Sequence, residues 1–136
     1  MPERGVIHNR PAAEQIRDYS GLRWGTITPT DIDGFLDFRG RLFVLIELKY
    51  IGADMGAGQR LAYERLCKAI TRVPVYCLVC QHDNGLDEDI KTATSILVEY
   101  WASGKWRKPK TYLTAWEAIN VLLGIHGIRF DTLADP

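Results

Sequence analysis

Residues 31–50 read DIDGFLDFRGRLFVLIELKY, and they carry the strongest structural signal in the chain. Two runs rich in apolar residues, 33–38 and 42–50, flank Arg39-Gly40-Arg41, and this pattern predicts a β-hairpin with a three-residue turn. With that turn, Asp33 lies opposite Glu47, and all the odd-numbered side chains lie on one face of the hairpin. The same register places Asp31 opposite Lys49.

Two carboxylates facing each other at the end of a hairpin repel unless a positive charge lies between them. Mg²⁺ binds oxygen ligands and typically uses one or two protein carboxylates together with phosphate and water. Lys49 projects beside Asp33 and Glu47, where its ammonium can orient a metal-bound water or neutralise a phosphate. The alternative is a plain salt bridge between Asp31 and Lys49, with Glu47 solvated at a strand end.

The rest of the chain predicts an α/β protein with a mixed central sheet and flanking helices. Local patterns before residue 82 indicate, in chain order, a helix over 11–19, a strand over 22–28, a glycine-rich mobile loop over 52–58, a helix over 59–73 and a strand over 75–81. After it they indicate a strand over 95–101, for which a helix is the alternative, and a turn over 102–104. The sequence Thr114-Ala115-Trp116-Glu117 has the pattern of a capping box and predicts a last helix from Thr114 through Leu123. Strands 42–50 and 75–81 are expected to be parallel because a helix separates them.

The second of these helices is amphipathic. Its predicted buried stripe consists of Ala62, Leu66, Ala69, Ile70 and Val73. Gln59 and Tyr63 lie together on the same side, at the amino-terminal end.

Composition predicts one soluble domain over 1–136. The chain is 46% apolar and 25% charged, with 17 basic and 17 acidic residues. Its apolar runs are too short to cross a bilayer, and its first residues lack the layout of a signal peptide, so we expect no membrane partner and a cytoplasmic location. A net charge of zero argues against nucleic-acid binding through bulk charge.

Local basic segments nevertheless indicate where a nucleic acid could bind. Lys105, Trp106, Arg107 and Lys108 interleave positive charge with an aromatic ring, which suits phosphate contacts and base stacking. The alternative is an ordinary exposed hairpin with aromatic packing. Arg60, on the predicted helix 59–73, is a further candidate substrate-binding residue.

The three cysteines include a Cys77-x-x-Cys80 pair with the spacing of a metal or redox site. On a strand, however, these two side chains point to opposite faces and cannot share one ion. The sequence therefore favours buried free thiols in a reducing compartment.

Taken together, Asp33, the Glu47-Leu48-Lys49 triplet thirteen residues later, and a Gln59-x-x-x-Tyr63 pattern resemble the PD-(D/E)XK nuclease superfamily. The last pattern is similar to that of the RecB-like exonuclease branch, and small members, including the virus-type replication–repair nucleases, occur in phages and prophages. The resemblance covers about residues 10–82. It implies a restriction-endonuclease-like core of order αβββαβ, followed by a C-terminal extension over 83–136 that contains a hairpin and a helix. The chain departs from the family pattern at Ile32, where the family has proline.

The resemblance implies a Mg²⁺-dependent enzyme that hydrolyses DNA phosphodiester bonds, with Mn²⁺ able to substitute. It implies metal ligands at Asp33, at Glu47 and at the backbone carbonyl of Leu48. Further candidate ligands are Glu14 on the first helix and Asp31. The implied catalytic residues are Asp33, Glu47, Lys49 and Gln59, and Tyr63 is implied to bind substrate.

Two other functions remain open at the level of sequence. One is a Holliday-junction or other structure-specific resolvase of the same superfamily, which would act as a homodimer in a bacterial or phage-infected cell. The other is a catalytically silent module that binds nucleic acid or a protein partner. Asp33, Glu47 and Lys49 together favour an enzyme, because a binding module does not need this set.

Overall fold

The structure, a computed structural model, describes residues 18–129, and the chain divides into two compact units, residues 1–30 and 31–136. In the first unit, Trp24 and Ile27 exchange backbone hydrogen bonds of 3.0 and 2.9 Å around Gly25, whose φ is +63°. This tight reversal replaces the strand predicted over 22–28, which is wrong because a positive φ at glycine turns the backbone in the middle of the segment. The helix predicted over 11–19 lies outside the described residues except for its last two, which are not helical.

The second unit contains a five-stranded sheet. Its strands lie across the sheet in chain order: β1 (Gly34–Asp37), β2 (Phe43–Tyr50), β3 (Val75–His82), β4 (Ile96–Ala102) and β5 (Lys105–Arg107). β2 and β3 are parallel, and the other neighbours are antiparallel. Two helices, α1 (Ala57–Ala69) and α2 (Ala115–Ile125), and a 3₁₀ turn (Thr92–Thr94) complete the described elements. The α/β class and the mixed sheet are confirmed, but the described residues contain two strands before α1 and not the three of the order αβββαβ.

The hairpin of β1 and β2 has the predicted register. Gly34 pairs with Ile46 and Asp37 with Phe43, and the N–H of Phe38 donates to the carbonyl of Leu42 at 3.0 Å. The turn uses positive φ angles at residues 39 and 40. If this register is extended by one residue before Gly34, position 33 lies opposite position 47.

The sheet buries a different set of side chains on each face, because successive strand residues point to opposite sides. The face toward α2 is apolar and consists mainly of Leu42, Val44, Ile46, Leu78, Cys80, Leu97, Ala115, Ala118 and Leu122. The face toward α1 contains Leu45, Met55, Tyr63, Cys67, Cys77, Val79 and Trp101. The prediction that the Cys-x-x-Cys pair divides between the faces is confirmed.

The buried stripe predicted for the helix over 59–73, which is α1 in the structure, is wrong. α1 buries Tyr63 and Cys67, whereas Leu66 and Ala69 are exposed. Tyr63 and Cys67 each follow a member of the predicted stripe by one residue, so the helix is turned by about 100° about its axis. α1 also ends at Ala69, before the predicted residue 73, with an extended backbone after it.

The glycine-rich loop before α1 is anchored by a buried side chain. Met55 is packed into the α1-side cluster, and the helix begins at Ala57, so Gly58 is helical. The loop predicted to be mobile therefore has one fixed point immediately before the helix.

The C-terminal part follows the prediction closely. β4 is a strand rather than a helix, and positive φ angles at Ser103 and Gly104 turn the chain into β5. Neither helix among residues 18–129 has the length and hydropathy that crossing a membrane requires.

The predicted capping box at the start of α2 provides a test of local stability. The Thr114 hydroxyl accepts from the N–H of Glu117 at 3.2 Å, and the Glu117 carboxylate accepts from the N–H of Thr114 at 3.0 Å. We expect Thr114→Ala to lower the free energy of unfolding by about 1 kcal/mol, measured by urea denaturation. Thr111→Ala, at an exposed position outside the helix, is the matched control and is expected to have no effect. Equal stability of the two variants would show that the cap contributes nothing.

Candidate functional site

Glu47 is a carboxylate buried in the α1-facing side of the sheet, with 3% of the residue exposed. Three donors compensate its burial. The Gln59 Nε2 lies 2.9 Å and the Lys49 Nζ 3.2 Å from its Oε1, and the Tyr63 hydroxyl donates to its Oε2 at 2.7 Å. A buried carboxylate is tolerated only with partners of this kind.

The local structure explains why these donors converge. Gln59 and Tyr63 are one turn apart on α1 and therefore project from the same side of the helix. Lys49 follows Glu47 by two residues on β2 and shares its face. The structure thus brings three of the predicted site residues onto Glu47. Tyr63 is only 2% exposed, so its hydroxyl holds the carboxylate rather than facing solvent.

The alternative salt bridge between Asp31 and Lys49 is not what the structure shows. Lys49 pairs with Glu47, as described above. Asp31 is exposed, and its backbone carbonyl lies 3.4 Å from the Tyr63 hydroxyl. Glu14, the other additional candidate ligand, lies outside the described residues.

Asp33 immediately precedes β1 and lies beside β2, the strand that carries Glu47. Its Oδ2 accepts a 2.8 Å hydrogen bond from the N–H of Leu48. Because the N–H and C=O of one strand residue project from the same edge, the Leu48 carbonyl also faces this side. The N–H bond confirms that the loop before β1 brings Asp33 to the residue between Glu47 and Lys49.

Electrostatics at Asp33 indicate a site with surplus negative charge. Burial raises the pKa of the Asp33 carboxyl, and the neighbouring Glu47 carboxylate raises this pKa further. The Leu48 N–H and the Lys49 ammonium act in the opposite direction but do not cancel the effect. Two carboxylates therefore share one ammonium, an arrangement that a cation would stabilise.

The donor set fits a hard divalent cation such as Mg²⁺. It offers the Glu47 carboxylate from within β2, the Asp33 carboxylate from the residue before β1, and the Leu48 carbonyl on the side of β2 that Asp33 approaches, all of them oxygen ligands. Within residues 18–129, no group of three or more His, Cys, Asp or Glu side chains is arranged to hold a metal. Asp33 and Glu47 would therefore depend on the carbonyl, water or a phosphate to complete the coordination.

The candidate substrate-binding residues of α1 and β5 form a second network on the same face. Arg60 donates to Glu99 at 2.7 Å, and its guanidinium lies 4.6 Å from the centre of the Trp106 ring. The Trp106 indole N–H donates to Glu64 at 2.7 Å, and its ring packs against Trp101. The Trp106 ring is therefore engaged within the protein, and the contact with Glu99 raises the pKa of Arg60 and keeps it charged.

The other basic residues of β5 and the following segment differ in their surroundings. The Arg107 Nε donates to the Ala102 carbonyl at 3.2 Å, whereas Lys105 and Lys108 are exposed. β5 is the edge opposite β1, so these lysines are separated from Asp33 by the width of the sheet.

Sequence reasoning missed the two acids of this network, Glu64 and Glu99. Glu99 lies in the apolar strand 96–102, and a single charge within such a run was the available signal. Glu64 had no comparable signal, because it lies on a helix among other charged residues and the rotation of that helix decides what it contacts.

Comparison of the chain with protein-family models, with curated proteins and with the solved structures finds no match.

The raised pKa of Asp33 predicts a pH-dependent effect of its removal on stability. A carboxyl whose pKa is higher in the folded state stabilises the protein below its unfolded pKa, and this contribution is lost as the pH rises through the folded pKa. At pH 7, without metal, the ionised Asp33 therefore opposes folding. We expect Asp33→Asn to raise the melting temperature of the metal-free protein at pH 7, with the difference shrinking on acidification.

Asp37→Asn is the matched control for this measurement. Asp37 is the last residue of β1, which Asp33 immediately precedes, and it also accepts one backbone N–H, from Gly40 at 2.7 Å. We expect its melting temperature to follow that of the unmodified protein. A lower melting temperature for Asp33→Asn at pH 7 would contradict the repulsion inferred between Asp33 and Glu47.

Proposed function

We propose that the chain is a metal-dependent nuclease that hydrolyses DNA phosphodiester bonds through a PD-(D/E)XK-type site. One observation carries this proposal: Gln59, Tyr63 and Lys49 converge on a single buried carboxylate, Glu47, with Asp33 beside it. A fold alone does not require two neighbouring carboxylates, one of them buried, to share a single ammonium, and a cation would relieve their repulsion. Active sites retain such arrangements because the charge is used.

In this proposal, Asp33, Glu47 and the Leu48 carbonyl hold Mg²⁺. When bound, the metal polarises a phosphate oxygen and lowers the pKa of an attacking water. Lys49 supplies a positive charge next to the same carboxylates, where its ammonium can donate to a phosphate oxygen or hold the water in line for attack. In the metal-free protein this ammonium neutralises part of the charge of Glu47.

Gln59 and Tyr63 act on the reaction through Glu47. Each occupies one carboxylate oxygen with a hydrogen bond, so the carboxylate plane has one orientation before substrate arrives. Such positioning removes the cost of reorganising a ligand during the reaction. Tyr63 is accordingly assigned a positioning role, in place of the direct substrate contact that the family resemblance implies.

The charge distribution limits how strongly the chain could hold a nucleic acid. The chain is neutral overall, and the exposed Lys105 and Lys108 offer a small positive surface. Because each phosphate contact adds to the salt dependence of binding, we propose a modest affinity with a shallow salt dependence.

The central test is cleavage of linear duplex, single-stranded and branched DNA with Mg²⁺ or Mn²⁺. We expect Glu47→Gln to reduce the rate at least about 100-fold, because one metal ligand loses its charge. Asp37→Asn, on the neighbouring strand and outside the site, should cleave normally. DNA binding without cleavage by the unmodified protein would instead favour the silent binding module, and selective cleavage of branched DNA would favour the resolvase.

Metal binding by itself predicts a change in thermal stability. A cation that binds only the folded state stabilises it by an amount that grows with its concentration above the dissociation constant. We expect Mg²⁺ or Mn²⁺ to raise the melting temperature of the unmodified protein and of Asp37→Asn. Asp33→Asn should lose this increase, and an equal increase in Asp33→Asn would place the metal elsewhere.

A further inference from the structure

A cleft of about 450 Å³ lies at the carboxyl ends of the two parallel strands, β2 and β3. Gln81, Ile96 and Val98 line it, and Gln81 pairs with Ile96 across β3 and β4. Val98 packs against the α1-side cluster, so the cleft opens on the sheet face that carries Glu47. The carboxyl ends of parallel strands are frequent ligand sites in α/β proteins.

The near wall of the cleft is one strand away from Lys49. Gln81 is the register partner of Lys49 in the parallel pair, and adjacent strands lie about 5 Å apart. The far wall, with Ile96, lies on β4, one strand further from Lys49. The Gln81 side chain is also in contact with the loop that leads into α1, 3.5 Å from the Ala53 carbonyl. A chain of nucleotides with one phosphate on a cation held by Asp33 and Glu47 could therefore place a nearby residue in this cleft.

The exposed ring of Tyr112 lies at the cleft, and hydrogen bonds fix the backbone that follows it. Tyr112 lines the cleft, and 75% of it is exposed. The residues after it are held along β4, because the N–H of Leu97 donates to the Leu113 carbonyl and the N–H of Ala115 to the Ser95 carbonyl. The ring is thus available for stacking without folding a loop around the ligand.

The polar lining can form hydrogen bonds with a base and a sugar. Gln81 and Asn84 offer amides that can both donate and accept. Asp83 offers a carboxylate that can accept from an amino or hydroxyl group, and Lys91 offers an ammonium that can donate to a base oxygen or nitrogen. One charge of each sign lines the cleft, so the lining carries no net charge from these two groups.

We propose that the cleft binds the base and sugar of one unpaired deoxynucleotide, in a strand that has a nearby phosphate on a cation held by Asp33 and Glu47. This inference rests on the proposed nuclease function. A base within a duplex is stacked and paired, so entry into the cleft requires a single strand, a frayed end or an extruded nucleotide. The site therefore acts on unpaired DNA in preference to intact duplex.

The test is binding of a fluorescent oligothymidylate with cleavage-resistant phosphorothioate linkages to the full chain in the presence of Mg²⁺. Tyr112→Ala should weaken binding of this single strand about tenfold, as expected for the loss of one base stack. Tyr112→Phe keeps the ring and should bind normally. Trp116→Ala removes another exposed aromatic residue, outside the cleft lining, and should leave the affinity unchanged.

Circular dichroism and melting temperature establish that each variant is folded. If a folded Tyr112→Ala binds as tightly as the unmodified protein, or if Trp116→Ala loses as much affinity, the cleft proposal is overturned. If a stable Tyr112→Ala cannot be made, Asn84→Ala replaces it, with the same expected loss and the same contradicting result.

Cleavage of the same single strand, made with ordinary phosphodiester linkages, with Mg²⁺ separates the two proposals. Cleavage by the unmodified protein with binding insensitive to Tyr112 overturns the cleft and leaves the nuclease. Binding that depends on Tyr112 without any cleavage supports the cleft as a nucleoside site and overturns the nuclease.

Discussion

The buried carboxylate of Glu47 is the constraint to which the α1 side of the structure conforms. Removing one partner from a buried ion pair typically costs about 3–5 kcal/mol, so the donors around this group are under strong energetic pressure. They come from the same strand and from two successive turns of α1. The rotation of α1 about its axis follows from this requirement: the helix turns Gln59 and Tyr63 toward the sheet and leaves Leu66 exposed.

Different kinds of interaction therefore stabilise the two faces of the sheet. On the α2 side, apolar residues from three strands and one helix pack together, and such burial is non-directional. On the α1 side, hydrogen bonds and ion pairs hold two groups of side chains, and such bonds have strict geometry. One group surrounds Glu47, and the other consists of Arg60, Glu99, Trp106 and Glu64. α1 connects the two groups, because Gln59 contacts Glu47 and the next residue contacts Glu99. The proposed metal site, the basic residues of β5 and the nucleoside cleft thus belong to one sheet.

Much of the second unit was predictable because its signals are local. The hairpin register depends on turn length, the capping box on a four-residue pattern, and the division of Cys77 and Cys80 between faces on strand alternation. The approach of Asp33 to Glu47 followed from the same register. Prediction failed over 22–28, where local apolar content suggested a strand but a glycine turn closes the segment. It also failed for the buried stripe of α1, because hydropathy takes no account of the Tyr63 hydroxyl that the distant Glu47 carboxylate needs.

Short-range periodicity and turn chemistry were enough to predict the hairpin and its register, the parallel direction of β2 and β3, and the approach of Asp33 to Glu47. The buried face of α1, the pairing of Lys49 with Glu47, and the contacts of Trp106 with Glu64 and Arg60 became visible only in the folded chain. Each of these contacts joins groups whose choice of partner depends on desolvation, and desolvation is a property of the assembled sheet and helix. The sequence shows which side chains can form hydrogen bonds, but burial in the folded protein determines which of them must form one.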